Sequence, residues 1–128
     1  MPELNHTIVW SKDKRGSAEF TAEILGLPPP RKFFHFEIVD LANDVSLDFL
    51  EAEEHLTVQH YAFLVSDAEF DAGLERVKAR GLAFWADPAR KQAGEINHHF
   101  GGRGFYFENP DGHLLELITK PYGSENEL

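Results

Sequence analysis

Residues 60–82, HYAFLVSDAEFDAGLERVKARGL, change their rhythm halfway along. HYAFLVS alternates as a strand does, with His60, Ala62 and Leu64 on one face and Tyr61, Phe63 and Val65, large enough to pack a helix, on the other. From Asp67 to Leu82 the spacing predicts a helix, with Phe70, Leu74 and Val77 along one stripe. The same order occurs earlier. LNHTIVWS (4–11) reads as a strand, and SAEFTAEILGL (17–27) as a helix capped by Ser17, with Phe20, Ile24 and Leu27 aligned. Glu19 falls in its first turn, where the helix dipole favours it, and Gly26 suits its end. SAEF recurs as DAEF at 67–70 and LGL at 25–27 as RGL at 80–82. His6 opens one strand and His60 the other, a step of 54 (60 − 6). Two strand–helix units, each followed by strands, imply two similar modules packed into one fold.

The strands that follow can be read in both halves. PPPRK (28–32) is a loop or a short irregular edge strand, and FFHFEIVD (33–40) and VSLDFLEA (45–52) form a hairpin across LAND. In the second half FWADP (84–88) begins another strand or turn. A long loop, RKQAGEINHHFGG (90–102), follows it. RGFYFE (103–108) and HLLELIT (113–119) are strands joined by NPDG, whose order suits a tight reversal.

Composition narrows the classes. One domain with a real core fits in 128 residues, and 42% hydrophobic with 12% aromatic residues is a globular composition. With 22 acids against 12 bases the net charge is −10, which argues against nucleic acid or an anionic membrane as partner. No cysteine is present, so disulfides, thiol catalysis and thiolate metal sites are excluded. MPELNHTIVW lacks the form of a leader and no apolar run approaches a membrane span, so the expectation is a soluble, cytoplasmic chain.

Strand alternation also sorts the polar residues. Asp48 lies between Leu47 and Phe49, and Glu116 between Leu115 and Leu117, each on the face opposite its bulky neighbours. Tyr106 likewise faces away from Phe105 and Phe107. Each half thus offers one histidine on its first strand and one carboxylate on its last: His6 with Asp48, and His60 with Glu116. A lone histidine is as readily a core residue bonded to a carbonyl, and a lone carboxylate can face solvent on a one-sided sheet. Four such residues in matched positions point instead to a metal. Imidazole and carboxylate donors suit Fe, Mn, Ni or Zn as divalent ions and leave positions open for substrate.

LNHTIVWS with SAEFTAEILGL, then HYAFLVSDAEFDAGLERVKARGL, then GRGFYFENPDGHLLELIT, together resemble the vicinal oxygen chelate superfamily of glyoxalases, bleomycin-resistance proteins and extradiol dioxygenases. The similarity spans residues 4 to 120, and the aromatic strand running into NPDGHLLEL is its most specific element. The resemblance implies an α+β fold: two βαβββ modules, about 4–54 and 58–120, forming a curled mixed sheet around a metal cleft in one domain, usually as a homodimer. It places His6, His60 and Glu116 at the metal ligands, and Asp48 where four-ligand members carry a glutamate, as ligand or base. It gives Glu116 a proton-shuttling role and puts Tyr106 where ring-cleaving and fosfomycin-modifying members carry a substrate-contacting tyrosine.

Departures from the pattern matter too. Trp10 and Ala52 stand where bacterial glyoxalases carry the Arg and Asn that contact glutathione, which disfavours a glutathione thioester reaction. Ile8 replaces the threonine of fosfomycin transferases, and their arginine beyond the final Glu has no match near Glu125.

Among the other candidates, His98 or His99 can reach the cleft as part of a lid hinged at Gly94, Gly101 and Gly102, and Arg103 can hold a substrate carboxylate or phenolate. Either feature is equally ordinary as solvated surface. His113 reads as structural or exposed, His35 as a sheet residue, His55 as a loop residue, and Phe33, Phe34, Phe36 and Trp85 as core. The expected function is a metal-dependent enzyme, dioxygenase-like or lyase-like, on a small oxygen-chelating organic substrate. The alternative is a bleomycin-resistance-type protein that binds a compound without chemistry.

Overall fold

A computed structural model describes residues 1–123, so Glu125 lies outside the described residues. The chain divides into two compact units, Met1–Thr57 and Val58–Leu128. Unit 1 runs β1 (His6–Ser11), α1 (Lys14–Leu25), β2 (Arg31–Phe33), β3 (Phe36–Asp40) and β4 (Ser46–Glu51). Unit 2 repeats the order with β5 (His60–Leu64), α2 (Asp67–Ala79), β6 (Phe84–Trp85), β7 (Gly104–Glu108) and β8 (Leu114–Ile118). The sheets have matching strand orders, β1-β4-β3-β2 and β5-β8-β7-β6. In each, the first and last strands pair in parallel and the remaining neighbours antiparallel. The fold is therefore α+β, built from two βαβββ modules with mixed sheets. Among the described residues no helix is long and apolar enough to cross a membrane.

α1 starts at Lys14, three residues before Ser17 (17 − 14), whereas α2 starts at Asp67 as its spacing predicts. α1 is capped by Asp13, whose carboxylate accepts from the Gly16 amide at 3.2 Å, and Ser17 is buried one turn inside. The charged run KDKRG that reads as a break is thus a cap and a first turn. Glu19 accordingly sits beyond the first turn and pairs with Arg15 at 3.6 Å. At the far end Gly26 has φ 69°, and the Leu27 amide bonds back to the Ala22 carbonyl at 2.8 Å, the left-handed closure expected of glycine there. α2 is capped by Ser66 rather than Asp67, in a reciprocal pair with Glu69. It ends at Ala79, short of Leu82. SAEF and DAEF therefore sit about one turn apart in equivalent helices.

The core of unit 2 is aromatic. Phe105 packs edge-on against Phe70 of α2 at 5.2 Å and against Phe84 at 5.8 Å, with Phe107 beside it. The face assigned to the helix is thus the one that packs on it. In unit 1, Val9, Val39, Leu47 and Phe49 are buried together with Phe20 and Ile24 of α1. Phe33 and Phe34 are not core: they are 53% and 83% exposed. β2 is a three-residue edge strand, and Phe34 begins the turn into β3 with φ 54°, which carries its ring outward. His35 belongs to the same turn rather than to the sheet, and Phe36 and Trp85 are half-buried.

Candidate functional site

The site is assembled on β5 and β8. Their parallel register sets Ala62 opposite Glu116 and His60 opposite Leu114, so His60 lies two residues from Glu116's partner on the same face. The imidazole bridges that gap, with Nε2 3.0 Å from Glu116 Oε1 and Nδ1 3.0 Å from the Leu114 carbonyl oxygen. A carbonyl only accepts, so Nδ1 carries a proton. Nε2 is thereby turned toward the Glu116 carboxylate. Glu116 is 1% exposed. The Tyr122 hydroxyl bonds it as well, 2.9 Å from Oε1 and 3.1 Å from Oε2.

Tyr106 on β7 lies directly opposite Glu116, and its ring is 6.0 Å from that of His60. Burial, then hydrogen bonding with Tyr122 and Glu116, pushes its phenol well above the ordinary tyrosine range. Tyr122 is raised as well, by burial and then by its bond to Glu116. Both phenols therefore stay protonated donors beside the carboxylate. These groups line a cavity of about 640 Å³ whose other walls include Phe100, Ile118, His99, Arg103 and Lys120.

The loop residues divide. His99 begins a short 3-10 turn, His99–Gly101, and lines the cavity. His98 is exposed and is not among the lining residues. The loop is pinned along most of its length: Asp87 accepts from the Lys91 and Gln92 amides, and Asn97 and Gly104 exchange backbone bonds at 2.8 and 3.0 Å. Residues 98–102 carry bonds of their own, from the His99 amide to Asn97 Oδ1 at 3.3 Å and from the Gly102 amide to the His99 carbonyl at 3.0 Å. Gly102 is needed for close approach, since a Cβ there would lie 2.6 Å from Lys120 Cγ and 2.7 Å from Thr119 Oγ1.

Arg103 is committed to α2. Its guanidinium bonds Asp71 at 2.7 Å and Asp67 at 3.0 Å and lies 4.4 Å over the Phe70 ring. The bond to Asp71 leads the causes that raise its pKa. A substrate anion would have to displace two carboxylates to use it. His113 is fully buried, with Nδ1 accepting from the Gln59 amide at 2.9 Å and its ring edge-on to Tyr61. It anchors the start of β5. His55 is exposed in the segment between the units.

Unit 1 repeats the register. His6 is opposite Ser46 and Ile8 is opposite Asp48, so His6 again lies two residues from the carboxylate's partner on the same face. Here the imidazole Nδ1 meets Asn5 Oδ1 at 2.7 Å, and the buried Asp48 accepts from the Ser46 hydroxyl at 2.7 Å. Among the described residues no three of His, Cys, Asp and Glu form one metal-holding group. What the structure brings together is the pair His60–Glu116, with His6 and Asp48 in the other unit. That pair fits a divalent ion. Imidazole nitrogen and carboxylate oxygen are donors that such ions take, and here they stand side by side. A histidine whose Nδ1–H is fixed by a backbone carbonyl is also the form that offers Nε2 to a metal. Tyr122, which carries the second contact to the carboxylate, has little signal in the sequence beyond an aromatic residue shortly after the last strand.

Relatives share this architecture. The chain is 30% identical over 125 residues to the glutathione transferase FosA of Serratia marcescens, covering 91% of this chain and 80% of that protein. Its structure superposes on the oxidase ChaP-H1 with a TM-score of 0.94 at 53% identity, covering 96% of this chain and 99% of the other. The fosfomycin resistance protein FosX of Listeria monocytogenes shares the fold at 22% identity, with a TM-score of 0.70 over 97% of this chain and 98% of that one. Residues 3–117 match the Glyoxalase/Bleomycin resistance protein/Dioxygenase superfamily, and with the duplicated βαβββ units in hand the chain belongs to that superfamily.

Proposed function

We propose that the chain is a divalent-metal enzyme of this superfamily, one domain over residues 1–128, acting on a small organic molecule that presents adjacent oxygen atoms. The observation that carries this reading is the hydrogen-bonded His60–Glu116 pair, oriented by the Leu114 carbonyl. In this proposal His60 Nε2 and Glu116 Oε1 are two donors, His6 is the third, and Asp48 is a fourth donor or a base. Fe, Mn, Ni and Zn all suit such donors. The ion supplies Lewis acidity toward bound oxygen atoms. The oxidase relative at 53% identity supports the dioxygenase-like branch over the lyase-like one.

The chain's own residues then have definite tasks. Tyr106, a neutral phenol at the cavity wall, donates to substrate oxygen as negative charge develops there. Glu116 shuttles a proton when an oxygen leaves or gains one. Phe100, Ile118 and the Tyr122 ring offer flat apolar walls that exclude water, and Lys120 adds positive charge. Of the loop histidines, the lining position favours His99 over His98 as the acid or base, and Arg103 serves mainly to hold β7 on α2.

One observation favours the alternative, sequestration of a compound without chemistry: among the described residues no three potential ligands form one group. Metal occupancy separates the two. After reconstitution with Fe²⁺, Mn²⁺, Ni²⁺ or Zn²⁺ in turn, elemental analysis should find about one ion per chain, lost in His60→Ala. A wild-type chain that retains none of the four at micromolar concentration refutes the enzyme reading and leaves sequestration.

A further inference from the structure

We infer that Tyr122 is a positioning residue for the Glu116 carboxylate, so that the segment following β8 decides how that carboxylate meets a metal ion. The inference rests on the metal reading above. Tyr122 lies six residues beyond Glu116, past Pro121, and belongs to none of the eight strands. Its ring leans on Phe100 at 5.5 Å, and its hydroxyl returns to both oxygens of the buried carboxylate. The two oxygens are not equivalent. Oε1 is shared with His60 Nε2, whereas Oε2 has Tyr122 at 3.1 Å.

A tyrosine hydroxyl has one proton to donate. When an ion takes Nε2 and Oε1, that proton can settle on Oε2, leaving a one-oxygen ligand beside His60. Without the hydroxyl, Oε2 loses the donor at 3.1 Å and Tyr106 is left to hold the carboxylate, so its orientation toward an ion would be less firmly set. Outer hydrogen-bond partners of this kind orient metal ligands, and losing one commonly weakens affinity ten- to a hundredfold. The contact with Phe100 carries a further consequence. It links this grip on Glu116 to the short turn His99–Gly101, whose His99 and Phe100 line the cavity.

The test compares Tyr122→Phe, which keeps the ring against Phe100, with Tyr122→Leu, which removes it. Each full-length variant is titrated with Mn²⁺, reading free and bound ion by EPR, with a melting curve as the check on folding. Tyr122→Phe should weaken Mn²⁺ binding about ten- to a hundredfold with an altered bound-ion spectrum, and Tyr122→Leu should add little. Wild-type affinity and spectrum in Tyr122→Phe, with loss only in Tyr122→Leu, overturns the inference and makes the ring a packing group. Tighter binding in Tyr122→Phe also overturns it, since the hydroxyl then competes with the ion. A wild-type chain that takes no Mn²⁺ or other divalent ion fails the metal reading itself, before any variant is compared.

Discussion

Glu116→Gln isolates the charge at the centre of the site from its shape. The glutamine oxygen can still accept from Tyr122, and its amide can donate to His60 Nε2 once the ring is neutral, with Nδ1–H still on the Leu114 carbonyl. No buried group is stranded. Folding therefore loses only the difference between a charge-assisted and a neutral hydrogen bond, about 1 kcal/mol, or a few degrees in Tm. A metal ion fares differently, because it loses an anionic donor and meets an amide N–H in its place. The loss should exceed the roughly hundredfold that an outer partner can cost, which corresponds to more than about 2.8 kcal/mol. Competition titration of Zn²⁺ against a fluorescent chelator, beside differential scanning calorimetry, measures both quantities. A folded Glu116→Gln chain that binds Zn²⁺ within about threefold of wild type would falsify the assignment of Glu116 as a ligand.

Two further outcomes are expected. Tyr106→Phe should keep folding and metal content while lowering turnover roughly tenfold to a thousandfold, the range for loss of one donor to a developing oxyanion; unchanged turnover makes Tyr106 only a wall, and lost metal makes it scaffolding. A homodimer burying more than about 1,000 Å² is the proposed assembly, so light scattering should give twice the chain mass, and a monomer across the micromolar range counts against it.

Much of this fold could be read directly from residue rhythm. Alternation in HYAFL and LLELI, and Pro-Asp-Gly between the last two strands, mark elements that the structure contains, because side-chain period and turn chemistry are local properties. What sequence obscured was non-local. Asp13 caps α1 although the first apolar stripe residue comes several positions later. Phe33 and Phe34 look like core by composition, yet an edge strand and a left-handed turn leave them outside. Arg103 looks available for an anion until α2 brings Asp67 and Asp71 to it from more than thirty residues away. Tyr122 is the clearest case, since no periodicity marks a residue that returns to a strand it has already left.

The repeat also shows why chemistry should concentrate in one unit. The cross-strand row through the carboxylate is Ile8, Asp48, Ile38, Arg31 in unit 1 and Ala62, Glu116, Tyr106, Trp85 in unit 2. From Arg31 to Trp85 the step is 54 (85 − 31), but from Ile38 to Tyr106 it is 68 (106 − 38). The extra fourteen residues fall between β6 and β7, in the segment that delivers His99 and Phe100 to the cavity wall. The inserted loop thus accompanies the exchange of Ile38 for a phenol and of Ile8 for alanine. A small residue beside the carboxylate leaves room next to Glu116, and the phenol offers a donor into it. In unit 1 a branched side chain stands on each side of Asp48, and Arg31 in the same row is spent on Asp40 at 2.7 Å. The histidine–carboxylate register is kept in both sheets, while the cavity-lining phenol and loop lie around Glu116 alone.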